Sequence, residues 1–191
     1  MDTSTFDPTR AVVFDLARGQ VALEGGGSVL LLPADVVATA CSQLDATIVR
    51  QLGTALGRQA GARSRTRLGQ AVGATLEAVV EQLGGELSLG GCGVLSIERW
   101  GRALVARIEG YPLAGQGQEL LAGFIEGALL VLAEREVTAL PLERTAQSLR
   151  LLLCSKAAAA RVKGWLLAGA SWGDALASLQ SARHELAGGM V

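Results

Sequence analysis

Apolar positions along this chain recur with two different periods, and the switches between them mark out its elements. Residues 11–16 (AVVFDL), 20–23 and 28–32 are short apolar runs. They are separated by the turn residues Arg18 and Gly19 and by the triplet Gly25-Gly26-Gly27, and Pro33 stops the last. These runs predict a small β flap behind a loose polar tail over 1–10. From Ala34 the period changes. Val37, Cys41, Leu44, Ile48, Leu52 and Leu56 recur at three- and four-residue steps, with Asp35, Thr39, Gln43, Arg50, Thr54 and Arg58 opposite. One long amphipathic helix follows from this stripe, weakening at Gly57 and Gly61. Ser64 or Thr66 is positioned to cap a second helix with the stripe Val72, Leu76, Val79, Val80 and Leu83, and the Gly84-Gly85 pair reads as its C-terminal stop.

The period then falls to two. Val94, Ser96 and Glu98 alternate with Leu95, Ile97 and Arg99, and Leu104, Ala106 and Ile108 alternate with Ala103, Val105 and Arg107. Two strands over about 93–99 and 102–109 joined by a Trp100-Gly101 turn are expected, with Tyr111-Pro112 ending the ladder. A third helix is predicted over about 118–134. Gly123 and Gly127 stand four apart in it, a spacing of small residues that lets another backbone approach. A second strand pair is expected at about 136–142 and 146–154. Ser155 caps a helix over 156–167, and a last helix covers 172–186. Strands paired as hairpins predict an α+β fold: an antiparallel sheet packed against a helical layer on one side, with extra N-terminal strands and C-terminal helices. The expected division is 1–33 as tail and β flap, 34–154 as the core domain, and 155–191 as a helical extension.

Composition changes this picture in one respect. Of 191 residues, 50% are hydrophobic, 4% aromatic and 18% charged. The charged share falls below the usual quarter, so part of the surface is expected to be covered. A homodimer formed by the first two helices is predicted, with Val36, Ala40 and Val49 beside the main stripe as its surface. A net charge of -1 gives no overall attraction to nucleic acid or to an anionic membrane. The cluster Arg58, Arg63, Arg65 and Arg67 has no interleaved aromatic residue and reads as a solvated helix end. No apolar run reaches the length of a membrane span, and the polar N-terminus is not a signal peptide, so a cytoplasmic location is expected.

Candidate chemistry is sparse. Cys41, Cys92 and Cys154 are odd in number and far apart, among apolar neighbours, so neither a disulfide framework nor a zinc site is expected. His184, the single histidine, lies near the C-terminus without a nucleophile to serve. The pairs Glu77 with Glu81 and Glu134 with Glu136 have surface spacing. The Gly-rich segments lack the lysine of a phosphate loop. The chain is therefore expected not to be an enzyme and to need no cofactor.

Three segments carry a family resemblance: LGTALGRQAG (52–61) at the end of a long helix, LGGCGVLSIERWGRALVARIEGYP (89–112) as a glycine-bounded strand pair, and LLAGFIEGALLVL (120–132) as a glycine-containing helix. In this order they resemble the 4-vinyl-reductase domain family, relatives of the small TRAPP vesicle-tethering subunits, over about two-thirds of the chain. The resemblance implies a binding or regulatory module that docks a protein partner or a small apolar ligand. Its pocket would lie between helices and sheet, lined by residues such as Ile48, Leu52, Leu76, Leu95, Ile97 and Phe124. Many members place metal-binding cysteines after the third helix and in the last strand. Here Val137, Ala139 and Leu140 occupy the first region and only Cys154 the second, so no metal is expected. The middle block is also similar to the D subunit of cellulose synthase, which implies the alternative of a structural assembly protein.

Overall fold

A computed structural model of the chain describes residues 5–25, 27–69, 75–113 and 115–188, with side chains described as far as 181. The expected loose tail is built into the fold from Phe6 onward. Asp7 caps a short helix, α1 (Pro8–Ala11), its carboxylate accepting from the Thr9 backbone N–H at 2.9 Å. Strands β1 (Val12–Asp15), β2 (Gln20–Leu23) and β3 (Gly27–Ser28) then form a three-stranded antiparallel sheet in that order. This is the predicted flap, except that β3 is shorter than 28–32.

The predicted long helix is two helices, α2 (Ala34–Gln43) and α3 (Ala46–Leu68). The break falls at Leu44 and Asp45. Asp45 is extended and caps α3, accepting from the Thr47 N–H at 2.7 Å. Beyond it α3 runs straight through Gly57 and Gly61, where weakening was expected. The reason is its partner, α5 (Gly117–Leu132). A Cβ added at Gly53 or Gly57 would lie 2.0 Å from the carbonyl oxygen of Leu120 or Phe124. On α5, a Cβ at Gly123 or Gly127 would lie 2.1 or 2.2 Å from the carbonyls of Arg50 or Thr54. The two helices touch backbone to backbone. Each glycine costs its helix roughly 0.5–1 kcal/mol against alanine, and the contact it permits holds the helix in place.

Helix α4 (Leu76–Leu89) starts and ends later than the sequence pattern predicts. Thr75 is its cap, its hydroxyl accepting from the Ala78 N–H at 3.2 Å. Ser64 and Thr66, the predicted caps, sit inside α3, and Val72 lies outside the described residues. Gly84 and Gly85 do not stop the helix. They lie in its interior, and it closes instead at Gly90 and Gly91.

The main sheet has the order β4-β5-β7-β6, antiparallel throughout, from β4 (Val94–Trp100), β5 (Ala103–Glu109), β6 (Thr138–Arg144) and β7 (Ser148–Cys154). The turn at Gly101 has φ 61, a backbone that glycine adopts at low cost. Pro141 sits in β6, an edge strand, beside a break in register where a missing N–H disturbs least. Leu95, Ala106, Ile108, Ala139, Leu149 and Leu151 face the helices of the first layer and form the larger core with them. The opposite face, with Val105 and Leu152, packs on α6 (Lys156–Leu167) and α7 (Trp172–Gly188). Helices therefore cover both faces. Over 34–154 they lie on one side, as expected, but the C-terminal extension is a third layer with a core of its own.

Candidate functional site

The outer face of α3 is the first functional feature. Its fully buried positions are Val49, Gly53, Gly57, Ala60, Gly61 and Ser64, which meet α5 and the core. Its large apolar residues lie about 100° further round the helix and face out: Ile48 is 50% exposed, Leu52 46% and Leu56 45%. Leu44 and Val36 are exposed as well, and so are Leu30, Leu31 and Leu32 just before α2 and Val13, Phe14 and Leu16 in the flap. Most exposed large apolar side chains among the described residues thus fall between Val13 and Leu56.

This placement corrects two expectations. Ile48 and Leu52 cannot line a pocket between helices and sheet, because the glycine face of α3 takes the inward position. Among the other predicted lining residues, Leu95 is buried, Ile97 and Phe124 pack against the core, and Leu76 is half-buried in the first turn of α4. They do not converge with Ile48 and Leu52 on one cavity. Of the three predicted dimer-surface residues, Val36 and Ala40 are exposed, whereas Val49 is 0% exposed and belongs to the core.

The second feature is a cleft of about 600 Å³ between the N-terminal segment, α4 and the start of β4. Phe6 and Pro8 form one wall, Val80, Glu81, Gly84, Gly85, Ser88 and Leu89 the floor, and Val94 and Leu95 the far side. Of the residues predicted for a pocket, only Leu95 contributes to it. Phe6 is seated on Gly85, where an added Cβ would lie 2.1 Å from the ring. The Phe6 N–H points to the Glu81 carboxylate at 3.5 Å. Gly84 is different: its Cβ would meet Leu95 at an ordinary 3.7 Å. A phenylalanine alone in a polar tail was the available sequence signal for this wall. The glycine pair could not be told from a helix stop without knowing what sits on it.

Two charged clusters fix these features in place. Arg63 and Arg67 donate to the Glu86 carboxylate at 2.6 and 2.7 Å, and Arg67 also reaches Glu24 of the flap at 2.9 Å. The Arg67 guanidinium lies 4.8 Å from the centre of the Phe6 ring. Glu86 is 5% exposed. Two members of the predicted solvated arginine cluster are thus half-buried clamps between flap, α3 and α4, while Arg58 stays exposed and Arg65 pairs with Glu134 at the surface. In the other cluster, Arg50 binds Glu119 and Glu126 at 2.6 Å and the Ala139 carbonyl at 2.7 Å, tying α3 to α5 and β6. Burial opposes the charge on Arg50, but the two carboxylates outweigh it and hold the guanidinium protonated.

Burial pushes the Cys41 and Cys92 thiols up from their ordinary value. Among the described residues, no group of three or more His, Cys, Asp or Glu side chains is placed to hold a metal ion, and no helix is long and apolar enough to cross a membrane. The His184 side chain lies outside the described residues.

No family model matches the chain, and neither does any curated protein. Solved structures do match its fold. One is the crystal structure of the phenol-responsive sensory domain of the transcription activator PoxR with phenol, which covers 90% of this chain and 92% of that one at a TM-score of 0.60 and 11% sequence identity. The chain shares the fold of that domain over nearly its whole length.

Proposed function

We propose that this chain is a non-enzymatic binding and regulatory module of the 4-vinyl-reductase-domain type, which works as a homodimer and takes a small apolar ligand. The observation that carries the reading is the outward apolar stripe of α3. A helix that turns Ile48, Leu52 and Leu56 to solvent while packing glycine inward has a second surface to bury. A second copy of the chain is the simplest partner of matching character. The shared fold with a sensory domain supports a receiver role. The open cleft under Phe6, with a volume in the range of small-molecule sites, supports it independently. Within this reading, residues 34–154 are the receiver body, 1–33 supply its tail and flap, and 155–191 are an extension whose helices α6 and α7 pack on the far side of its sheet. A cytoplasmic location belongs to the same reading.

Native mass spectrometry of the purified chain tests this proposal. A dimer that retains a small apolar molecule is the expected result. A larger closed ring without ligand would overturn it in favour of a structural assembly protein.

A further inference from the structure

The cleft under Phe6 has one chemical asymmetry. Among the described residues its floor and walls are apolar or small, and a single ionisable side chain, Glu81, lines it. Arg67, which lies over the Phe6 ring, is already engaged by Glu86 and Glu24. Glu81 itself has only the long contact from the Phe6 N–H and no ion pair among the described residues. An apolar recess with an unneutralised carboxylate at one side selects for a molecule that is mostly hydrocarbon and carries one positive charge.

Gly84 points the same way. The glycines of α3 and α5 are required by backbone contacts, and Gly85 by the Phe6 ring, but Gly84 has room for a side chain. It lies in the interior of a helix, where glycine is unfavourable, and it lines the cleft. What its missing side chain leaves is the depth of the recess.

We propose that this cleft binds a small amine of one or two rings, its hydrocarbon part between Phe6 and the floor at Gly84 and its ammonium group on Glu81. The inference rests on the receiver reading above and names its ligand class and its site.

Calorimetric titration of the full chain with 2-phenylethylamine, beside the uncharged 2-phenylethanol, tests it. The amine should bind about two- to fivefold tighter than the alcohol, the usual worth of an ion pair at an exposed carboxylate. Glu81→Gln, a change at an exposed position, should erase that preference. Gly84→Leu should abolish binding of both probes by filling the recess. No amine binding to the wild-type chain would overturn the inference, as would a preference that survives Glu81→Gln. Amine binding unchanged in Gly84→Leu would overturn the site while leaving the receiver reading intact. That reading fails separately, if native mass spectrometry finds a ligand-free ring.

Discussion

Gly57 and Gly84 are both helical glycines, yet the two positions tolerate a side chain in opposite ways. At Gly57 a Cβ would stand 2.0 Å from a carbonyl oxygen of α5, and backbone cannot move aside as a flexible side chain can. Gly57→Ala should therefore destabilise the protein by about 3 kcal/mol or more, at the upper end of overpacking costs. Gly84→Ala should instead be neutral or stabilising by up to about 1 kcal/mol, because only the helix propensity of alanine is added. Urea unfolding of the two variants separates these outcomes. Charge placement is as local. Glu86 holds two guanidinium groups in a nearly closed site, so Glu86→Ala should cost about 3 kcal/mol by leaving Arg63 without its carboxylate and Arg67 with Glu24 alone, read from the same unfolding curves. At this scale the sequence announces the Gly123 and Gly127 pair as a packing device, and the structure supplies its partner. It does not announce Glu86, because Arg63 and Arg67 reach it across 23 and 19 residues of chain and nothing local marks the pairing.

Among the elements, those defined by strong local signals were legible: both hairpins of the main sheet, the Ser155-capped α6, and α5. The misreadings have two physical causes. One is capping: Asp45 and Thr75 begin α3 and α4, yet Asp45 lies within an unbroken apolar period that predicts one continuous helix. The other is the assumption that the apolar stripe of a helix faces the core. In α3 the inward face beyond Val49 is made of glycine, alanine and serine, because a backbone-to-backbone crossing with α5 needs small residues more than large apolar ones. The stripe at Ile48, Leu52 and Leu56 is apolar, as its period shows, but it lies about 100° round the helix from the buried face. That rotation takes Ile48 and Leu52 out of the expected pocket lining and leaves an outward face. It also explains why Val49, one residue from Ile48, is core rather than surface.

For the whole molecule, the low charge fraction and the outward stripe describe the same property. Ile48, Leu52 and Leu56 on α3, with Val36 and Leu44 beside them, are exposed apolar side chains on one stretch of chain. The central claim is that the α3 face is where two copies meet. Sedimentation equilibrium of the wild-type chain beside Leu52→Glu, both at high micromolar concentration, tests it most directly. Wild type should sediment at about twice the 19.7 kDa chain mass. Leu52→Glu, at an exposed position, should sediment as a folded monomer. A wild-type chain that remains monomeric at that concentration, or a Leu52→Glu variant that dimerises as well as wild type, would contradict the account.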